Sequence, residues 1–241
     1  MAASATWAED RPVGLRTSTW VREDIFAGFM AGDPARFEKG MEKLSAALAA
    51  QPGSVDALEW QGGGKIYRAV RAHEAGDQAA FDRHYAEARA DFARAEAELA
   101  NQPDLRAAYF AIRGGSFTIL ADRLPAGQRA QAWAEVRDNY RALRETQKAF
   151  FDKMPVHMRG EVLAGLAQAA QRLGDQPAAA AALQELLAAL PDSVYANRAR
   201  KWQEQPDLAS RSSLVCQTCH DAGRLEPVLK KMAQDKAAPK Q

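Results

Sequence analysis

The sequence predicts an all-α protein of stacked antiparallel helical hairpins, followed by a tail of different character. Three observations carry that reading. Alanine is abundant and β-branched residues are sparse, which favours helix because alanine loses no side-chain entropy there. Glycine turns and proline stops recur along the chain at nearly regular intervals. Between them, apolar residues step by three and four, the spacing that gives a helix one buried face.

Taken in order, residues 1–17 read as an N-terminal extension, whose "MAASATWAED" start resembles the end of a cleaved export signal. A half-unit from Thr19 to Ala31 runs up to the turn Gly32-Asp33. The same turn returns as Gly76-Asp77 and Gly174-Asp175, with Gly127-Gln128 as a looser version. Glycine ends a helix in the left-handed conformation at no steric cost, and the aspartate caps the next helix through its side-chain oxygen. Pro52, Pro103, Pro155 and Pro191 close the units, because proline cannot continue a helix. The spacing from Pro52 to Gly76 equals that from Pro103 to Gly127. One unit is therefore a helix, a glycine turn, a second helix and a proline stop.

The second helices carry the stripes. Phe81, Tyr85, Ala88, Phe92, Ala95 and Leu99 form one, Trp133, Val136, Tyr140, Leu143 and Phe150 another, and Leu183, Leu186, Leu187 and Leu190 a third. The first helices each hold a mid-helix glycine, at Gly63, Gly114 and Gly165. Glycine costs about 1 kcal/mol there, so close approach of the paired helix is the expected compensation. Core packing is the expected role of the aromatics; groove lining is the alternative for Trp60 and Tyr67 on a first helix.

From Val162 to Pro191 the chain reads "VLAGLAQAAQRLGDQPAAAAALQELLAALP". This stretch resembles the tetratricopeptide-repeat (TPR) family in its small residue inside the first helix, its Gly-Asp turn, its alanines in the second helix and its closing proline. The two preceding units depart from that family's period by being longer. The resemblance covers roughly residues 18–203. It implies a TPR-like right-handed superhelix over residues 18–205, with a concave groove of the kind that commonly binds peptides or helices.

After a short helix around Tyr195–Gln203, the polar stretch "EQPDLASRSSLV" reads as a linker. It opens a C-terminal segment, residues 206–241, that holds Cys216-Gln217-Thr218-Cys219-His220. Both cysteines of the 241-residue chain are here. C-x-x-C-H is the attachment signature of c-type haem. Each thiol adds across a vinyl group to form a thioether, and the adjacent histidine reaches the iron on the proximal side. Cys216 and Cys219 take the thioether roles for one covalently bound haem c, and His220 the proximal one. Over residues 213–233 the chain also resembles c-type cytochromes, which implies single-electron transfer. Only 21 residues follow His220, too few to enclose a haem, so it must rest on the helical stack or on a partner. His157 and Met232 are the candidates for the distal position, with a five-coordinate iron as the remaining option. Met154 and Met158 lie beside His157, and His73 and His84 flank the Gly76 turn.

Other chemistries fit less well. A structural zinc site needs four ligands and only one Cys pair exists. A thioredoxin-type dithiol needs a βαβ setting. A plain disulfide remains open. Gly62-Gly63-Gly64-Lys65 lacks the strand and spacing of a phosphate loop and reads as close packing. No catalytic constellation stands out, and the carboxylates read as solvated helix faces. Lysine and arginine total 32 against 31 acids, so no one-sign field selects nucleic acid. No apolar run approaches the ~20 residues of a membrane span.

The expectation is an exported, periplasmic monohaem electron carrier whose helical groove docks a redox protein. It requires an export signal encoded outside this chain. The alternatives are a non-redox scaffold or cytochrome-assembly protein, and a haem-based sensor or peroxidase.

Overall fold

The computed structural model describes residues 17–215. Among them there is no strand. They form two compact units, residues 17–52 and residues 53–215.

The first unit is one hairpin. Helix α1 (Thr17–Ala31) packs on α2 (Pro34–Ala50). The turn between them places Gly32 at φ 66°, where any side chain would be strained. Asp33 then accepts a hydrogen bond from the Arg36 N–H at 3.0 Å and caps α2. Val21, Ile25 and Phe26 of α1 and Phe37, Met41 and Leu44 of α2 are buried.

The second unit holds three hairpins and a closing pair. Helix α3 (Val55–Glu74) pairs with α4 (Gln78–Glu98), α5 (Arg106–Leu120) with α6 (Ala126–Gln147), and α7 (Val156–Arg172) with α8 (Gln176–Ala189). Helices α9 (Val194–Glu204) and α10 (Pro206–Arg211) follow. Neighbouring hairpins join through α3 on α5 and α6 on α7. The Gly-Asp grammar holds at two of its three expected places in this unit. Gly76 and Gly174 take φ of 73° and 74°, and Asp77 and Asp175 cap α4 and α8 by accepting from the Ala80 and Ala178 N–H groups. The third expectation, a turn at Gly127-Gln128, is not met. Those residues lie in the first turn of α6, and the chain reverses earlier, through a 3₁₀ turn at Ala121–Arg123 and Pro125. The four closing prolines all fall between α-helices, Pro103 as the first residue of a 3₁₀ turn. The long spacing of the early units is taken up by long helices, 20 residues in α3, 21 in α4 and 22 in α6.

Most of the predicted stripe positions are core, with Tyr85 and Leu187 half-buried. Phe81, Ala88, Phe92 and Ala95 of α4, Trp133, Val136, Tyr140 and Leu143 of α6, and Leu183, Leu186 and Leu190 in or next to α8 are all buried. Phe150 breaks the pattern at 50% exposure, because α6 ends at Gln147 and the stripe loses its helix. Trp60 and Tyr67 are buried, as core residues rather than groove-lining ones. The glycines sit where helices approach closely, though not always the paired one. A Cβ on Gly62 would lie 3.0 Å from the ring of Phe92 on the paired α4. One on Gly63 would lie 3.1 Å from Ser116 of the next hairpin, and one on Gly165 would collide with Tyr140 of the preceding hairpin. Lys65 closes this region with an ion pair to Asp91 at 2.6 Å, so the Gly-Gly-Gly-Lys run is packing.

Candidate functional site

Cys216, Cys219, His220 and Met232 lie outside the described residues. The structure describes the chain up to Val215, the residue before the motif. The stretch that composition reads as a linker is not a loose one: residues 206–211 form α10, and Leu214 and Val215 are fully buried. The physical reason lies in two polar side chains of α7.

Arg172, in the last turn of α7, has a side chain only 9% exposed. Its guanidinium is held between two indoles, 5.6 Å from the Trp133 ring centroid and 6.0 Å from that of Trp202. Its Nε donates to the Asp122 carboxylate at 3.0 Å, and the Trp133 indole N–H donates to the same carboxylate at 2.8 Å. Its two terminal nitrogens donate to the backbone carbonyls of Ala209 and Ser212, the latter at 3.0 Å. One cation therefore ties α7, the turn after α5, α6, α9 and the segment after α10 together. Arginine suits this because its planar fork offers donors in several fixed directions.

Gln168 lies one turn earlier on α7 and is buried. Its Oε1 accepts from the Leu214 N–H at 2.8 Å and from the Ser213 hydroxyl at 3.0 Å. The Trp202 indole N–H donates to the Ser212 hydroxyl at 2.8 Å, and that hydroxyl donates to the Leu208 carbonyl. The Ser212 hydroxyl and carbonyl, the Ser213 hydroxyl and the Leu214 N–H are thus matched as they leave water, which is the condition for burying them.

The sequence candidates among the described residues scatter. His157 is exposed in the first turn of α7. Its Nδ1 lies 2.9 Å from the Tyr195 hydroxyl, which donates to Glu161 at 2.7 Å, and Gly160 leaves room for the Tyr195 ring. Met154 is buried and Met158 exposed. His73 lies near Phe81, its ring centroid 5.9 Å away. His84 has its pKa lowered below the ordinary 6.5, first by desolvation and then by the charge of Arg83. The structure does not bring these histidines together, and no group of three or more His, Cys, Asp or Glu among the described residues is arranged to hold a metal ion.

A second polar network lies between α4, α5 and α6. Arg113 donates to the Tyr109 hydroxyl at 2.7 Å and to Glu96 and Glu135, while Arg89 donates to Glu135 at 2.6 Å. Burial pushes the Tyr109 hydroxyl pKa well above its ordinary value. This network joins neighbouring hairpins.

Sequence reading missed Gln168 and Arg172. A signal for them exists. His157, Glu161, Gln168 and Arg172 recur along α7 at intervals that return to one face, a polar stripe on an otherwise alanine-rich helix. Comparison of the chain with protein-family models, with curated proteins and with solved structures finds no match.

Proposed function

We propose that the chain is an exported, periplasmic monohaem c-type cytochrome that transfers single electrons, with its helical hairpins docking a redox protein. The observation that carries this reading is Cys216-x-x-Cys219-His220, which uses both cysteines of the chain in the order haem attachment requires. Cys216 and Cys219 would hold haem c through thioethers, and His220 would ligate the iron. Bound haem supplies one-electron chemistry, tuned by its second axial ligand and by burial. His157 and Met232 are the candidates for that second ligand. For His157, the Tyr195 hydroxyl beside Nδ1 is a partner of the kind that orients ligating imidazoles. The hairpin succession is compatible with a TPR-like right-handed superhelix, the form in which the groove would select the partner.

A second reading, a non-redox scaffold, draws on the helical hairpins that make up most of the described residues. The experiment that separates the two is an absorption spectrum of the protein made with haem-attachment machinery, followed by its mass after acid denaturation. The cytochrome reading expects one haem mass retained on the chain. A bare polypeptide mass with two free or paired thiols sinks it and leaves the scaffold.

A further inference from the structure

We infer that Gln168 and Arg172 are positioning residues for the cysteine motif: they clamp residues 212–215, the chain that runs into it, against α7.

The argument is one of register. Arg172 holds the Ser212 carbonyl, and Gln168, one helical turn earlier, holds the Leu214 N–H. As the chain advances from 212 to 214, its contacts step backwards along α7. The segment therefore runs antiparallel to the helix. The two hydrogen bonds, one to the carbonyl before Ser213 and one to the amide after it, fix both the place and the direction of the segment on α7. The Trp202 indole fixes Ser212 from the other side. The Ser213 hydroxyl accepts from the Val215 N–H at 3.3 Å and so ties the last described residue into the clamp. Burial of Leu214 and Val215 makes release costly, because their apolar side chains would have to return to water. Cys216 is the next residue.

The chemical purpose of the clamp rests on the haem reading. A thioether to Cys216 would bind the prosthetic group at a point set by α7, and electron transfer is served by a fixed distance and orientation between haem and partner. The clamp itself stands on the geometry of residues 208–215 alone.

The test uses the full chain carrying Cys219→Ser, so that Cys216 is the single thiol, with a nitroxide label on Cys216 read by electron paramagnetic resonance. The expected spectrum is slow. Gln168→Leu, which keeps the side-chain volume and removes the acceptor, is expected to speed the label about fivefold or more, towards the motion of an unanchored terminus. Gln168→Glu, which keeps the acceptor, restores the slow spectrum. If Gln168→Leu does not fold, Ser213→Ala removes one donor to Gln168 at a partly exposed position and is expected to act in the same direction. A fast label in the parent overturns the clamp. So does a label indifferent to these changes in chains that melt like the parent. The haem mass is read separately on the unlabelled wild-type chain. A bare mass with a slow, Gln168-dependent label removes the haem and keeps the clamp; a haem-loaded wild-type chain with a fast label in the Cys219→Ser chain does the reverse.

Discussion

The α3–α4 hairpin and the C-terminal end of α7 solve the same problem, holding one segment against another, by opposite means. In α3, Gly62 and Gly63 bring helices close enough for Phe92 and Ser116 to pack almost on the backbone. At the end of α7, Arg172 and Gln168 hold α10 and the non-helical residues after it by four hydrogen bonds to named atoms. Apolar packing is strong but non-directional, so it sets stability. Hydrogen bonds contribute less net free energy but specify register. The comparison teaches that where the chain runs into the cysteine motif, register is set by directional contacts and not by apolar packing alone.

Breaking each side of the comparison should give different signatures. The largest effect is expected at Phe92→Ala, which empties a fully buried site in the α3–α4 hairpin and should cost about 3–5 kcal/mol. Denaturant unfolding reads it as a lowered midpoint. Arg172→Met keeps the apolar stem between the two indoles but removes the donors. About 2 kcal/mol is expected, and amide hydrogen exchange should show the loss at Ser212 and Leu214, with α3 and α4 unchanged. Uniform loss of protection along the chain would mean that Arg172 acts as general core and not as a local clamp.

Gly165→Ala sharpens the packing side. The new methyl meets the Tyr140 ring, and overpacking costs about 1–3 kcal/mol, partly offset by a helix-propensity gain of about 1 kcal/mol. A net loss is expected, and the double variant Gly165→Ala/Tyr140→Leu should recover part of it. The smallest effect concerns pH. The folded chain depresses the His84 pKa below 6.5, first through desolvation. The unfolded chain therefore binds the proton more readily, and stability falls as pH drops through 6.5 towards the folded value. His84→Gln should flatten that part of the stability–pH curve; an unchanged slope would place its origin elsewhere.

Much of the fold is legible in the residues. The Gly-Asp turns at Gly32, Gly76 and Gly174 were readable because a positive φ and a side-chain cap are local requirements that few residues satisfy. The stripes on α4, α6 and α8 were readable because burial of one face imposes the helical period. Gly127 misled because glycine also fits inside a helix, where nothing crowds it. Phe150 misled because periodicity does not announce where a helix ends. The cysteine motif was legible as a pattern, since its chemistry depends on spacing within five residues.

The approach to that motif was not legible. Serines and a proline over 206–213 have the composition of a linker, and composition records what a segment does when nothing holds it. Whether something does depends on Arg172 and Gln168, some 40 residues away, with Trp133 further still. Local chemistry, turn by turn and stripe by stripe, was enough to set the helices and their order, because those interactions lie within a few residues of one another. The long-range choices, which helix each glycine admits and where the entry to Cys216 is held, were made by tertiary packing, because only there do partners distant in the chain meet at hydrogen-bonding distance.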